Sequence, residues 1–374
     1  MNGTERGSLE EGKNGGTSQG NAKEGQVMGE VFGFGVIGCG LVSDFHGRGI
    51  GELDEARVVC ATDMDTARAQ AFVGKYGGVA LGSSEEVCAH PEVDVVSVLT
   101  PNAHHAEHVI RAAEHGKHVI VEKPPEMTLE KTDRMVAACR AANVRLAVSL
   151  QVRLRTAIRT MKAAVEAGRF GRLLAADAYM KWHRPTAYYL SDAWRSRREE
   201  GAGVTIQHAF HYLDLLLHLA GPVTQVQAWM TNLIHPEVEL EDTCTARLGF
   251  ACGAEGFLRA TTAMYPGTDI RIELNGENGT AVMVGERMVQ WQFREEEPGD
   301  EAIRQIGSEA AQTAATGAAA FGHAEHMRLI ADMLDAIREG RDPHVTVESG
   351  RETLATALAM YQSADEGRIV AVDG

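Results

Sequence analysis

The sequence predicts an α/β fold in two parts, a doubly wound parallel sheet followed by an α+β domain with an open, largely antiparallel sheet. Over residues 31–150, short continuous apolar segments alternate with helical patterns, which is typical of parallel strands covered on both faces. After residue 150, strand patterns follow one another, and Asn-Gly turns at 275–276 and 278–279 separate some of them. A length of 374 residues suits two domains with substantial cores.

The first domain, residues 31–150, is expected to alternate strands with helices. Each predicted strand is a short apolar run ended by a turn signal, and the strands fall at residues 32–37, 56–62, 93–99, 118–121 and 145–149. Apolar residues recur at helical spacing in the segments between them, at residues 41–51, 65–76, 103–115 and 129–142. Such a doubly wound domain is typical of nucleotide-binding proteins.

The second domain is expected to span residues 151–374. Its strands are predicted at residues 173–182, 225–234, 243–250, 255–262, 270–275, 280–285 and 288–293. Helices are predicted at residues 156–167, 203–219, 326–339 and 347–364, and the second of these is a long one. Residues 294–322 are acidic at first and then rich in Ala and Gly, which predicts a long mobile loop.

Residues 1–30 differ from the rest of the chain. They hold 8 of the 40 glycines and almost no large apolar side chains, so they cannot bury enough apolar area to offset the entropy of ordering. We therefore expect a disordered tail. It does not resemble a secretory signal, because no apolar stretch of the required length follows its charges.

The net charge of −16 argues against binding a nucleic-acid backbone or an anionic membrane through bulk charge. No apolar run approaches the ~18 residues of a membrane span. The six cysteines are scattered without a CxxC pair, which favours a reduced, cytoplasmic setting over a disulfide framework.

A glycine turn follows the first predicted strand and opens the first helix. Gly38 and Gly40 of the segment GCGLVS permit a tight turn and let a diphosphate approach the backbone at the helix N-terminus. Asp63, 23 positions after Gly40, ends the second strand and is placed to accept hydrogen bonds from a ribose diol. Because Met64 rather than an arginine stands beside it, NAD is favoured over NADP.

Two polar clusters lie where loops leave the carboxyl ends of predicted strands, the edge at which open parallel sheets bind ligands. The first is TPN at residues 100–102 with His104 and His105, and the second is EKP at residues 122–124. A lone lysine is more often a surface residue, so the assignment of Lys123 to the site depends on its position beside the other cluster.

The third cluster lies on the predicted long helix. Gln207, His211 and Asp214 are spaced by four and three residues, so one helix face presents an amide, an imidazole and a carboxylate together. His211 alone is compatible with a hydrogen-bonded core histidine, but a polar stripe of this kind is not explained by packing alone.

These motifs resemble the glucose–fructose oxidoreductase / inositol dehydrogenase / MocA (Gfo/Idh/MocA) family over nearly all of residues 31–374. The resemblance rests on the GxGxx turn, TPN at 100–102, EKP at 122–124, the Gly-rich turn at 201–203 leading to HxxD at 211–214, EDT at 241–243 and NGENGT at 275–280. Within the family, the pattern Trp182…Arg184…Tyr188-Tyr189…Trp194-Arg195 is similar to members that act on nucleotide-linked sugars.

The resemblance implies a Rossmann-type domain that binds NAD(P), and reversible oxidation of a secondary alcohol on a sugar, cyclitol or sugar nucleotide. It implies catalysis by Lys123 and His211, and substrate contacts from Asp214, Gln207, Arg153, Tyr188 and Trp194. The cofactor contacts that it implies are Gly38, Gly40, Leu41, Val42, Asp63, Thr100, Pro101, Asn102, His105, Glu122 and Lys123. It also implies a homodimer or homotetramer formed through the open sheet of the second domain.

Two positions depart from the family pattern. Many members carry Asp or Asn where this chain has Gln207, and because an amide cannot act as a base, the proton-transfer role falls on His211 and Lys123. The usual triple glycine is Gly201-Ala202-Gly203 here, which would narrow the substrate approach by one methyl group.

Three other functions stay open. The HxxH spacings at His208/His211 and His323/His326 suggest a metal enzyme, but no carboxylate or cysteine framework converges on either, so no metal is expected. A non-catalytic regulator that binds NAD and sugar has no need of both Lys123 and His211. A glycosidase that oxidises its sugar transiently would share the first chemical step, and net cofactor reduction would distinguish a dehydrogenase from it.

Overall fold

The first sheet is parallel throughout, as its continuous apolar strands require. Its strands are β1 (Phe32–Ile37), β2 (Ala56–Thr62), β3 (Val79–Ala80), β4 (Val95–Val98), β5 (His118–Val121) and β6 (Leu146–Val148). A computed structural model describes residues 31–201, 203–308 and 322–373 of the chain. The tail at residues 1–30, predicted to be disordered, lies outside these described residues.

Within the described residues the strand order of this sheet is β3-β2-β1-β4-β5-β6. The order reverses between β1 and β4, which opens a crevice at the carboxyl ends of the strands. The helices that cover the sheet are α1 (Ser43–Gly51), α2 (Thr66–Tyr76), α3 (Ser84–Ala89), α4 (His105–Glu114) and α5 (Leu129–Ala141). Each predicted strand and helix is present, and the structure adds β3 and α3, which are too short to show a period.

The second sheet is mostly antiparallel and is preceded and crossed by helices. Its strands are β7 (Leu173–Lys181), β8 (Val223–Thr231), β9 (Thr243–Phe250), β10 (Glu255–Thr261), β11 (Arg271–Gly276), β12 (Gly279–Val284), β13 (Arg287–Phe293) and β14 (Val370–Ala371). Among the described residues their order is β13-β12-β11-β7-β10-β9-β8-β14, and only the pair β7–β10 is parallel. This arrangement confirms the predicted open sheet.

The remaining helices are α6 (Thr156–Glu166), α7 (Thr186–Leu190), α8 (Val204–Gln207), α9 (Phe210–Ala220), α10 (Asp300–Arg304), α11 (Ala324–Glu339) and α12 (Val347–Glu366). One face of the second sheet packs against α9 and α12, and α11 returns to pack on α1 of the first sheet. A single cluster of buried apolar side chains therefore runs from β1 to β14. No described helix is both long enough and apolar enough to cross a bilayer.

The prediction of one long helix at residues 203–219 is wrong, because the chain forms two helices with a break at His208. The amide of Ala209 donates to the carbonyl of Val204, 2.8 Å away and five residues back, so the helix widens there. Glu241 holds the start of α8, since its backbone carbonyl accepts from Val204 N (3.0 Å) and its carboxylate from Thr205 N (2.9 Å). Gln207 therefore ends the first helix, and His211 and Asp214 belong to the second.

The mobile loop predicted over residues 294–322 is also wrong for the part that the structure describes. Asp300 begins α10 and is buried, and its carboxylate accepts hydrogen bonds from Arg169 Nη1 and from Trp291 Nε1, both at 2.7 Å. Acidic composition suggested a loop, but one of these acids is an internal partner for an arginine. The Ala-rich segment 309–321 lies outside the described residues.

Candidate active site

A cavity of about 1240 Å³ lies between the carboxyl ends of the first sheet and the segment that carries α7, α8 and α9. Pockets for one small ligand measure ~300–1000 Å³, so this cavity has room for a dinucleotide and a second molecule. Several buried polar atoms on its wall have no hydrogen-bond partner among the described residues: Thr100 Oγ1, His108 Nδ1, Gln151 Oε1, Arg155 Nε, His208 Nε2, His211 Nδ1 and His326 Nδ1. Ligand atoms would satisfy them.

The glycine turn after β1 forms one end of the cavity. Gly38 has φ of 97°, and a Cβ there would lie 2.6 Å from the carbonyl oxygen of Leu99, so only glycine fits. A Cβ on Gly40 would meet no atom within 4 Å, which leaves the backbone open to a ligand. Since α1 begins here without a side-chain cap, its free amides face a suitable place for a diphosphate.

Asp63 sits at the end of β2 and lines the same end of the cavity. One carboxylate oxygen accepts from Cys39 N at 2.7 Å and the other from Asp65 N at 2.8 Å. Each oxygen keeps a second lone pair, with which it can accept from a ribose hydroxyl. Gly38, Gly40 and Asp63 therefore fit the adenosine diphosphate portion of a dinucleotide.

The TPN segment lines the cavity, but His105 does not. Its Nδ1 lies 2.9 Å from the carbonyl of Pro124 and its Nε2 lies 2.9 Å from the carbonyl of Thr100, and the ring is fully buried. The cofactor contact expected from His105 does not match this geometry. The ring instead joins the two loops that form the wall, and burial lowers its pKa.

Lys123 projects from the loop after β5 into the middle of the cavity. Its Nζ donates a 2.8 Å hydrogen bond to the backbone carbonyl of Gln207 at the end of α8. Burial lowers the pKa of the ammonium, the charge of Arg195 lowers it further, and Glu122 opposes both effects. A lysine whose pKa is lowered gives up its proton more readily than an ordinary surface lysine, which suits it to proton transfer.

His211 lines the cavity near Lys123. Burial and, next, the charge of Lys123 lower the pKa of the imidazole well below its ordinary value, so the ring is neutral at pH 7. Its Nδ1 has no partner among the described residues, and no hydrogen bond joins it to Asp214. The neutral ring is thus able to accept a proton.

The structure does not bring Asp214 and Arg153 to the cavity wall. The guanidinium of Arg153 grips Asp214 in a bidentate pair, with Nε 2.7 Å from Oδ2 and Nη2 bound to Oδ1. Ser349 and Thr353 of α12 complete the network, and both charged side chains are at least nine-tenths buried. The substrate contacts that were expected from this arginine and this aspartate are not supported, because the two charges neutralise each other.

Glu122 and His326 form part of the wall, and the buried His46 lies behind them. The Oε1 of Glu122 lies 3.3 Å from His46 Nε2 and 4.0 Å from His326 Nε2, and these hydrogen-bonding and charge interactions outweigh burial to lower the pKa of Glu122 to about 2. These three side chains could hold a metal ion, since their donor atoms lie within 4.8 Å of one another. His323, the other member of the HxxH pair, instead contacts Glu52 at 2.6 Å.

Another part of the cavity wall carries aromatic rings and arginines, and Asp192 there pairs with Arg195 at 3.1 Å. Tyr188 and Trp194 line it as expected, together with Arg195, whose Nη1 donates to the hydroxyl of Tyr188 at 3.0 Å. The guanidinium of Arg195 also lies over the Trp194 ring at 4.5 Å. Gln207 lines the cavity as well, next to His208.

Sequence reasoning missed Arg155 and His326 as wall residues. Arg155 follows the short 3₁₀ turn Gln151–Leu154, which directs Arg153 inward and leaves Arg155 on the cavity side. The turn has no periodic signature that could have revealed this. His326 belongs to α11, far along the chain, and its HxxH spacing suggested a metal rather than a dinucleotide site.

The fold and the cavity define an oxidoreductase that uses a dinucleotide. Residues 32–150 match the oxidoreductase family GFO_IDH_MocA with its NAD-binding Rossmann fold, and residues 158–282 match the GFO/IDH/MocA C-terminal domain. The chain belongs to this Gfo/Idh/MocA family, which confirms the resemblance given by the motifs. NAD is the cofactor that the family fold binds.

Individual relatives of the chain are dehydrogenases or reductases. The chain is similar to the crystal structure of the WlbA dehydrogenase from Bordetella pertussis in complex with NADH and UDP-GlcNAcA, with 32% identity, 93% of this chain and 99% of that chain covered, and a TM-score of 0.85. It is 25% identical to myo-inositol 2-dehydrogenase from Thermotoga maritima over 91% of this chain and 98% of that protein.

Identity to 1,5-anhydro-D-fructose reductase from Ensifer adhaerens is 34%, over 49% of this chain and 55% of that protein. The chain therefore spans about half the length of this curated relative. All three relatives are dehydrogenases or reductases, which favours an oxidoreductase over the glycosidase and the regulator.

Proposed function

We propose that the chain catalyses the reversible oxidation of a secondary alcohol on a nucleotide-linked sugar, with NAD as the hydride acceptor. The observation that carries this proposal is the set of residues that line the cavity. Besides Gly38 and Asp63 and the reacting residue Lys123, the same cavity is lined by Arg195 and by the ring of Tyr188. Cations and aromatic rings on the wall suit a second ligand that has both a diphosphate and a base.

The likeness to WlbA from Bordetella pertussis supports the same substrate class, because that protein was crystallised with NADH and UDP-GlcNAcA. It is similar to this chain over nearly its whole length.

The cofactor would be held by the glycine turn, by Asp63 and by the TPN loop, and when bound it supplies a carbon that accepts hydride. Thr100 Oγ1 is one of the unpartnered wall atoms and is available to it. Residues 31–150 would then form the cofactor domain, and residues 151–374 the substrate domain.

We assign proton transfer to Lys123 and His211. The substrate hydroxyl would replace the Gln207 carbonyl as the partner of Lys123 Nζ, which holds the oxygen in place for loss of its proton. The neutral form of Lys123 can accept that proton and share it with His211, because burial lowers the pKa of both groups. Gln207 contributes its carbonyl to this arrangement rather than a basic side chain.

We also propose that the second sheet pairs with a further copy of the chain. Its open face carries Trp229 and Phe257, which are 57% and 45% exposed, and Tyr179 lies in register with Trp229 across β7, β10, β9 and β8, with Phe257 two residues away along β10. Exposed aromatic side chains on one sheet face are typical of a protein interface.

The cysteines are all unpaired, and five of them are buried, which supports action in the reducing cytoplasm.

The test is a screen of UDP-sugars, free sugars and inositols for absorbance change at 340 nm with NAD and with NADP. The proposal expects NADH formation with a sugar nucleotide and little with free sugars. NADH formation with an inositol alone would place the substrate in the cyclitol class. Conversion of a glycoside without net NADH would instead support the glycosidase.

A further inference from the structure

Arg155 stands at the reacting end of the cavity. It follows the turn Gln151–Leu154 at the exit of β6 and lies on the wall with Gln151 and His211. Its side chain is 11% exposed, so the guanidinium has little access to bulk water.

The charge of Arg155 is incompletely paired within the described part of the chain. Its ion-pair partner is Glu286, with 3.6 Å between Nη2 and Oε1, and the carboxylate of Glu286 is 46% exposed. Its Nε is buried and has no hydrogen-bond partner. By contrast, Arg153 two residues earlier uses three of its nitrogens on Asp214 and Ser349. Leaving a buried guanidinium unsatisfied is costly, and its planar fork matches a carboxylate.

The guanidinium of Arg155 lies near the reacting groups. Burial and the charge of Lys123 are the larger causes that lower the pKa of His211, and the charge of Arg155 is a smaller one. Gln151 adds an amide whose oxygen is buried and unpartnered. Of the acids on this wall, Glu122 adjoins Lys123 and His46, and Glu325 pairs with Arg328 at 3.5 Å, so neither neutralises Arg155.

We propose that Arg155 binds a carboxylate carried on the sugar ring, so that the chain prefers an acidic sugar nucleotide to its neutral counterpart. The proposal deepens the proposed function and rests on it for the nucleotide. Gln151 would accept from a hydroxyl next to that carboxylate. The diphosphate would be held elsewhere on the wall, where Arg184 and Arg195 lie, the second of them paired with Asp192 at 3.1 Å.

The test compares UDP-GlcNAcA with UDP-GlcNAc, which differ at one carbon by a carboxylate against a hydroxymethyl group. The wild-type kcat/KM for the acid is expected to exceed that for the neutral sugar by about 10- to 100-fold, the range of charge-assisted hydrogen bonds. Arg155→Met should bring the ratio close to one, and Arg155→Lys should leave an intermediate ratio. Equal rates for the two sugars in the wild type would overturn the proposal.

Arg159→Met is the matched control, because Arg159 is exposed on α6, the helix that begins directly after Arg155, and does not line the cavity. It removes the same charge and should leave the ratio unchanged. The melting temperature and NAD affinity of each variant show whether it is folded. If Arg155→Met does not fold, the test is made with Arg155→Lys. Weaker inhibition by UDP alone in Arg155→Met would assign the arginine to the diphosphate and contradict the proposal.

Failure of the proposed function is distinguishable from failure of this subsite. If no UDP-sugar is oxidised, the nucleotide assignment is wrong, and the comparison moves to glucuronate against glucose. A preference for glucuronate that disappears in Arg155→Met would support the carboxylate subsite on a free sugar. Absence of that preference would overturn the subsite as well.

Discussion

Lys123 Nζ donates a 2.8 Å hydrogen bond to the backbone carbonyl of Gln207. This contact joins the loop after β5 to the break between α8 and α9, two segments that are 84 residues apart. It holds the ammonium in the middle of the cavity, at the place where a substrate hydroxyl would have to lie.

Replacing Lys123 by alanine should lower kcat for alcohol oxidation by about 10³-fold, within the range for loss of a general acid–base group. NAD affinity should change by no more than about threefold, since the diphosphate and the adenosine ribose are held elsewhere. Steady-state kinetics and fluorescence titration with NADH measure the two quantities. Lys162→Ala on α6, away from the cavity, is the control. Near-wild-type turnover in Lys123→Ala would show that the reacting end is wrongly assigned.

The pH dependence of oxidation should reflect the lowered pKa of Lys123. Because oxidation needs a deprotonated base, kcat/KM should rise with pH and level off below 10.5, the ordinary value for lysine. The charge of Arg195 contributes to that lowering, so Arg195→Met should move the acidic limb to higher pH. Profiles between pH 6 and 11 test this. A limb that moves to lower pH in the variant would contradict the proposed cause.

The pair of Arg153 and Asp214 should matter for folding. Arg153→Met leaves a buried carboxylate without its partner, which should lower the free energy of unfolding by about 3–5 kcal/mol. Adding Asp214→Leu removes the stranded charge and should recover much of the loss. Urea denaturation measures both variants. If Arg153→Met kept its stability and raised only KM, the arginine would be a substrate contact after all.

The open sheet face should determine the oligomeric state. Trp229→Glu places a charge on this face and should shift the chain toward the monomer, since burying an unpaired carboxylate in an interface is unfavourable. Light scattering coupled to size-exclusion chromatography measures the mass. Leu233→Glu, an equally exposed apolar position outside the sheet, is the control. A wild-type monomer would rule out the proposed pairing.

Much of the first domain followed from local pattern. The apolar run at β1, the glycine turn after it and Asp63 at the end of β2 each have a local physical cause, and their order along the chain sets their order in the sheet. The second sheet was also predictable, because strand alternation and Asn-Gly turns are local signals. These are the features that the sequence by itself determined, together with the motifs that give membership of the family.

Only the tertiary structure decided which polar side chains face the cavity. The sequence predicted that Gln207, His211 and Asp214 act together, but only Gln207 and His211 line the cavity, because Asp214 pairs with Arg153 in the interior. Arg155 and His326 also line the cavity, from two segments that are far apart in the chain. Side-chain direction depends on long-range partners that compete for each charge in a buried setting, and a linear pattern contains no record of those partners.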